Sequence, residues 1–336
     1  MALSRSRASR RARHSIALFV SLVAVCTTSK GALAGPWLPA PGRVYVELRE
    51  QFSSTAQGFD SNGGRRRLHT LTDDGLPVPT RLYEARSRVY SEIGLATRLA
   101  LVADLTLLDT ISTPRAGRAA RAATGVGDLS TGLRVQLLDE EVACSLSVTL
   151  GIPTGRSDEA QPLGSGDLRG EVVLSFGKIW ERTPVFFAAE LGARLRSSGT
   201  QRTLAAGLAP VDALGARADA RSTINYASEL LYAVELGYLW SLGERLRLTP
   251  RVMLEGRHGL SAPLPLTIDP VAPTSMRFVR IGAALGFGVP LGSRRDARQA
   301  EKVKARLEVQ VGGGAFVWGQ GLPAAGELAI ALGLSR

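Results

Sequence analysis

Apolar and charged residues alternate with a period of two along most of this chain, and few folds accept that pattern on strand after strand. From Tyr83 to Leu95 the odd positions are Tyr83, Ala85, Ser87, Val89, Ser91, Ile93 and Leu95, all apolar or small. The even positions include Glu84, Arg86, Arg88, Tyr90 and Glu92. The same alternation recurs in 127–137, 185–196 and 246–255. A helix would set Arg247 and Arg251 beside Leu248 and Val252, whereas a strand sends them to opposite faces.

Carried along the chain, the pattern predicts twelve strands: 43–52, 82–95, 99–110, 126–138, 142–153, 167–180, 184–197, 223–240, 245–256, 276–290, 304–313 and 325–335. Short and long connections alternate between them, with only 291–303 breaking the short series. An even strand count, tight turns at one end and long loops at the other are what a transmembrane barrel predicts. Most segments also reach the roughly 9 to 11 residues that a tilted strand needs to cross hydrocarbon.

The solvent then dictates the rest. Inside lipid every backbone N–H and C=O must be paired within the protein, so a sheet survives there only by closing on itself. The expected fold is an all-β, single antiparallel transmembrane β-barrel of about 12 strands, with short periplasmic turns and long extracellular loops. Its apolar rows would face lipid. Its charged rows would line the lumen: Glu84, Arg86, Arg88, Glu92, Asp128, Arg134, Arg169, Glu171, Glu190, Arg194, Glu229, Glu235, Arg247, Arg251, Glu255 and Arg280, together with Arg49, Arg196, Glu47, Asp104, Glu308 and Glu327. The two signs nearly cancel, which predicts no marked ion preference. Two features sit awkwardly in this scheme: Ala100, Val102 and Leu108 fall on the lumen row of the third strand, and Glu50 falls on a lipid row.

The formal charge of +11 suggests an anionic partner until it is divided along the chain. Residues 1–34 hold six basic residues and no acidic ones, leaving +5 on residues 35–336. Those first 34 residues have the form of a secretory signal: an Arg-rich start, an apolar run from Ile16 to Cys26, then Ala32-Leu33-Ala34 before Gly35. Cleavage is expected between Ala34 and Gly35, leaving 35–336 as the barrel. Val25 before Cys26 argues against lipid attachment. Only Cys144 then remains, so no intrachain disulfide can form.

Chemistry finds little to work with. His69 and His258 lie in predicted loops, and a His258/Ser261 pair is weaker than the reading of both as solvated loop residues. No catalytic residue, resident metal or cofactor is expected; Asp158, Glu159 and Asp167 offer at most a weak hard-cation site. Gly125-Val-Gly127 lacks the third glycine of a dinucleotide fingerprint. Arg65-Arg66-Arg67 and the basic stretch 294–306 lack interleaved aromatics, so nucleic acid is not an expected partner. Outer-membrane lipid, lipopolysaccharide and the barrel-assembly machinery are, with a small-molecule solute left unidentified. Trp180 and Trp240 at short turns, and Tyr83 and Tyr226 near long loops, would form interfacial belts.

Three stretches resemble a known group. Thr124-Gly-Val-Gly-Asp-Leu-Ser-Thr-Gly-Leu-Arg134, Ser147-Val-Thr-Leu-Gly-Ile-Pro-Thr-Gly155 and Gly164-Ser-Gly-Asp-Leu168, followed by Phe176-Gly-Lys178, are similar to Gram-negative outer-membrane barrel transporters of the phenol meta-degradation-pathway family. The resemblance covers 82–256. It implies a barrel that passes small, hydrophobic or aromatic compounds, and implies no catalytic residues. The chain departs from such barrels at its end, Leu332-Gly-Leu-Ser-Arg336, which lacks a terminal aromatic. A passive channel or uptake route is the leading expectation; a sealed interaction barrel, a secreted soluble β-protein and an outer-membrane enzyme are the alternatives.

Overall fold

A computed structural model describes residues 36–59, 64–67, 69–71, 77–79, 82–113, 121–123, 125–155, 166–180, 182–202, 221–225, 227–243, 246–260, 277–291, 305–320, 322–323 and 326–335. Twelve long strands form its wall: β1 (Val44–Thr55), β2 (Leu82–Ala96), β3 (Leu99–Thr113), β4 (Leu129–Asp139), β5 (Ala143–Ile152) and β6 (Arg169–Ile179). They continue as β7 (Val185–Arg196), β8 (Glu229–Tyr238), β9 (Leu246–Gly259), β10 (Arg277–Leu291), β11 (Ala305–Gln320) and β12 (Gly326–Ser335). Each pairs antiparallel with its sequence neighbours, and β1 pairs with β12 from Tyr45 opposite Ser335 to Ser54 opposite Gly326. The sheet is a closed twelve-stranded barrel, so its wall has no unpaired edge. No described helix is long and apolar enough to cross a membrane, and the strands are the elements sized to do so.

The alternation acts as expected on the outer surface. Leu133, Val148, Leu191, Leu195, Val252 and Leu328 all point outward and are exposed, Leu195 at 66%. Trp180 and Trp240 are exposed on this surface where β6 and β8 meet their short connections. Trp318 is exposed near the opposite end of β11. Tyr83 and Tyr226 lie outside the residues whose side chains are described, as do Ala34, Gly35, Asp158, Glu159, Ser261 and 294–304. Cys144 is a buried free cysteine.

Two irregularities explain where the expected rows slip. Between β2 and β3 the register shifts after Ser87: Ser87 aligns with Leu108 but Arg88 aligns with Thr106. One extra residue in β3 therefore changes the parity beyond it, and Leu108 aligns with the outer row. A second shift lies between Val279 and Arg280, which align with Trp318 and Phe316 and leave Val317 and Trp318 both on the outside. The expected strand 223–240 is in fact two elements. Arg221–Asn225 pairs with Ser198–Arg202 as a separate hairpin, and the wall strand begins at Glu229. Glu50 does sit on an outward row, where Ser87, its cross-strand neighbour, donates a hydrogen bond to it at 2.6 Å.

Candidate functional site: the barrel lumen

The inward rows carry the charges, and pairing in register brings opposite signs together. Arg194 on β7 stands opposite Glu171 on β6 and Glu229 on β8, and its guanidinium reaches them at 2.7 Å and 3.1 Å. Arg196, one inward step along, holds Asp167 at 2.7 Å and lies 3.7 Å from Glu229. Arg280 stands opposite Glu255 and binds it at 2.6 Å. Arg251 binds Glu235 at 3.0 Å, and Arg169 lies 3.6 Å from Asp128. Cross-strand pairs of this kind are the units that stabilise a sheet.

Three contacts reach further, over an intervening strand. Arg134 on β4 passes over β3 to Glu92 on β2 at 2.5 Å, while its Nε donates to Ser147 Oγ at 2.7 Å. Arg280 crosses β11 to Glu327 on β12, and Arg251 crosses β10 to Gln310 on β11. In each case the crossed strand presents small residues. Ala100 and Val102 on β3 are buried, Gly314 on β11 would put a β-carbon 2.8 Å from Arg280 Nε, and β10 offers Gly282, Ala284 and Gly286. The apolar inward row of β3 is thus the floor beneath an ionic strut.

Burial divides the lumen into two environments. Asp167 and Glu229 have side chains at 0% exposure, and Arg196 at 6%. Charges so enclosed persist only because they are paired, since an isolated one would carry an unrecovered desolvation cost. On the other side, Arg88 donates to Asp104 at 2.6 Å yet stays 45% exposed. Arg49 binds Glu47 at 2.8 Å and is 40% exposed. Glu47 also accepts from the Tyr45 hydroxyl at 2.7 Å, and Tyr90 donates to Glu92.

Glu190 accepts from Ser175 at 3.3 Å. Arg86 aligns with Gln51 and Asp109 and is exposed. Glu84 aligns with Ser53 and Ile111, and its side chain lies outside those described. Arg247 aligns with Gly288 and, with Arg306 and Glu308, surrounds that glycine near the short-turn end. Among the described residues no cluster of His, Cys, Asp or Glu could hold a metal ion. His258 is exposed, and Asp167 is committed to Arg196.

Sequence reasoning missed Gln310, Arg257, Arg306 and the inward Tyr45. It also missed the segment before β1. Residues 36–42 do not continue the wall; they turn into its short-turn mouth. Gly42, with φ at +72°, donates to the Gly94 carbonyl on β2 at 2.8 Å, and Gly94 donates to Arg43 at 2.9 Å. A β-carbon on Gly94 would sit 2.5 Å from the Pro39 carbonyl oxygen. At the far end, one on Gly177 of β6 would lie 2.5 Å from Pro36 Cγ and 2.8 Å from Trp37 Cη2. Strand β6 stands five strands around from β1, so the segment straps across the mouth. Six residues extended at about 3.3 Å each reach ~20 Å, close to the width of a twelve-stranded wall. Pro36 and Pro39 of the segment are buried, as are Ala143, which pairs with Gly177, and, elsewhere around the same mouth, Tyr45 and Phe186. The proline-rich run Pro36-Trp37-Leu38-Pro39-Ala40-Pro41 was its visible signal, since it fits neither leader nor strand.

No protein-family model matches the chain. No curated protein matches it either. Among solved structures, an outer membrane channel from Pseudomonas putida F1 shares the fold, with a TM-score of 0.57 at 16% identity over 91% of this chain and 100% of that one. The translocator domain of the autotransporter NalP from Neisseria meningitidis aligns with a TM-score of 0.47 at 12% identity, covering 88% of this chain and 87% of that one. A mutant of the TodX monoaromatic hydrocarbon channel gives a TM-score of 0.43 at 11% identity, over 93% of this chain and 96% of that one.

Proposed function

We propose that this chain is an outer-membrane barrel that gives small molecules a passive route across the bilayer, after export and removal of residues 1–34. The observation that carries this reading is the inversion of the usual protein: large apolar side chains cover the outside while paired charges fill the inside. In water such a surface would aggregate; in a bilayer it is the stable arrangement, because the closed sheet leaves no backbone group unpaired in hydrocarbon. The route follows the half-exposed Arg49 and Arg88, on the side where the paired charges stay open. Mixed signs along it favour solutes over selected ions.

The solute class we infer is small and apolar or aromatic, a reading supported by the buried Pro36, Ala143 and Phe186 at the short-turn mouth. Lipid and lipopolysaccharide surround the wall, and the assembly machinery inserts it. A second reading has one observation behind it: struts from Arg134, Arg251 and Arg280 cross the lumen wall to a second strand, as in a barrel sealed for structural or binding duty.

Planar-bilayer recording from the purified mature chain separates the two. Discrete conductance steps with weak ion preference support the route. A bilayer that stays silent at several voltages, from protein whose gel mobility still shifts on heating, overturns it in favour of the sealed barrel.

A further inference from the structure

The strap is held unevenly. Its half nearest β1 is fixed by backbone hydrogen bonds between Gly42 and Gly94, Gly94 and Arg43, and Arg43 and Ala40. Its other half, Pro36 to Pro39, lies against the wall by apolar contact: the described backbone bonds begin at Ala40, and Pro36, Pro39 and Pro41 have no N–H to give. The seat under that half is made by a missing side chain on β6. Gly177 leaves the space that Pro36 and Trp37 occupy, its cross-strand partner Ala143 is buried, and two strand positions on, at the same mouth, the ring of Phe186 is buried against Gly237. A place opened by a glycine and held by proline and tryptophan rings, with no backbone hydrogen bond described for Pro36 to Pro39, is one that a free ring can contest.

We propose that the strap occupies a binding seat for small apolar ring compounds, and that such a solute, on entering the seat, displaces the strap and opens the short-turn mouth. The inference rests on the reading of the barrel as a solute route and gives that route its gate. The strap is the resting occupant, the solute competes for the same surface, and the hydrogen-bonded half near β1 is the hinge. Because the two occupants exclude one another, each molecule that loads the seat lifts the barrier to its own exit.

Trp37 reports on this directly. The mature chain holds four tryptophans, and replacing Trp180, Trp240 and Trp318 by Phe leaves Trp37 alone on the strap. In detergent micelles, iodide quenching of Trp37 is expected to be weak and to rise about threefold or more as toluene saturates the protein, with no response to sucrose. Gly177→Val should expose Trp37 without any solute, whereas Gly170→Val, where a β-carbon meets nothing within 4 Å, should not. Strong quenching of Trp37 from the outset, or quenching unmoved by toluene, overturns the seat. A barrel that conducts while Trp37 ignores toluene likewise overturns the seat and leaves the route intact. A silent barrel whose Trp37 responds supports the seat and overturns the route.

Discussion

Two sectors of the lumen carry the same residue types on the same inward rows and do different things with them. Around β6 to β8, Arg194, Arg196, Asp167, Glu171 and Glu229 interlock, and the acids Asp167 and Glu229 lose all contact with solvent. Around β1 to β3, Arg49 and Arg88 also bind acids, yet both remain open to the lumen. Pairing alone therefore does not fix the role of a lumen charge; enclosure does. Where other side chains close over a pair it becomes a strut, and where they do not it becomes a lining.

This contrast breaks if the two sectors respond alike to neutralisation. Glu229→Ala strands Arg194 and Arg196 in an enclosed site and should cost about 3 to 5 kcal/mol, read as a lower urea midpoint for loss of the heat-shifted gel band. Arg88→Ala, in the open sector, should cost no more than about 1 kcal/mol by the same assay. Equal losses would refute the division.

The rule that a strut needs a small floor can be sharpened next. Ala100→Leu forces a larger side chain under the Arg134–Glu92 bridge and should destabilise by about 1 to 3 kcal/mol. Ala103→Leu, on the outer row of the same strand, should leave the urea midpoint near that of the parent. A neutral Ala100→Leu would mean that Arg134 does not cross β3.

The outer surface gives the smallest effect. Glu50 lies among apolar neighbours with Ser87 as hydrogen-bond donor. Replacing both, as Glu50→Leu with Ser87→Ala, should stabilise the barrel in lipid vesicles by roughly 1 kcal/mol, because a carboxylate facing hydrocarbon is removed. Loss of stability in that double variant would show that Glu50 meets water or a partner rather than lipid.

Much of this architecture was legible from the period-two pattern, because closure and burial both act on alternate residues. The twelve wall strands overlap the segments that alternation marked, although 223–240 divides into a hairpin strand and a wall strand that begins at Glu229. What the pattern could not show depends on things that lie opposite in space. The parity slip at Ser87 is a single extra residue in β3, invisible to a count along one strand. Ala100 and Val102 looked misplaced because their reason, Arg134 passing overhead, lies on the next strand. The strap has no period at all: its prolines prevent a strand, and its position comes from the spaces left by Gly94 and Gly177 on two distant strands.

The central claim is that one row of each strand meets lipid and its neighbour meets water. Cysteines placed singly at Arg88 and at the adjacent Val89, in a Cys144→Ala background and in lipid vesicles, test it residue against residue. The predicted result is that a membrane-impermeant maleimide labels Cys at 88 and spares Cys at 89, while a lipid-soluble maleimide labels 89. Rapid labelling of 89 by the impermeant reagent, with 88 protected, would contradict it.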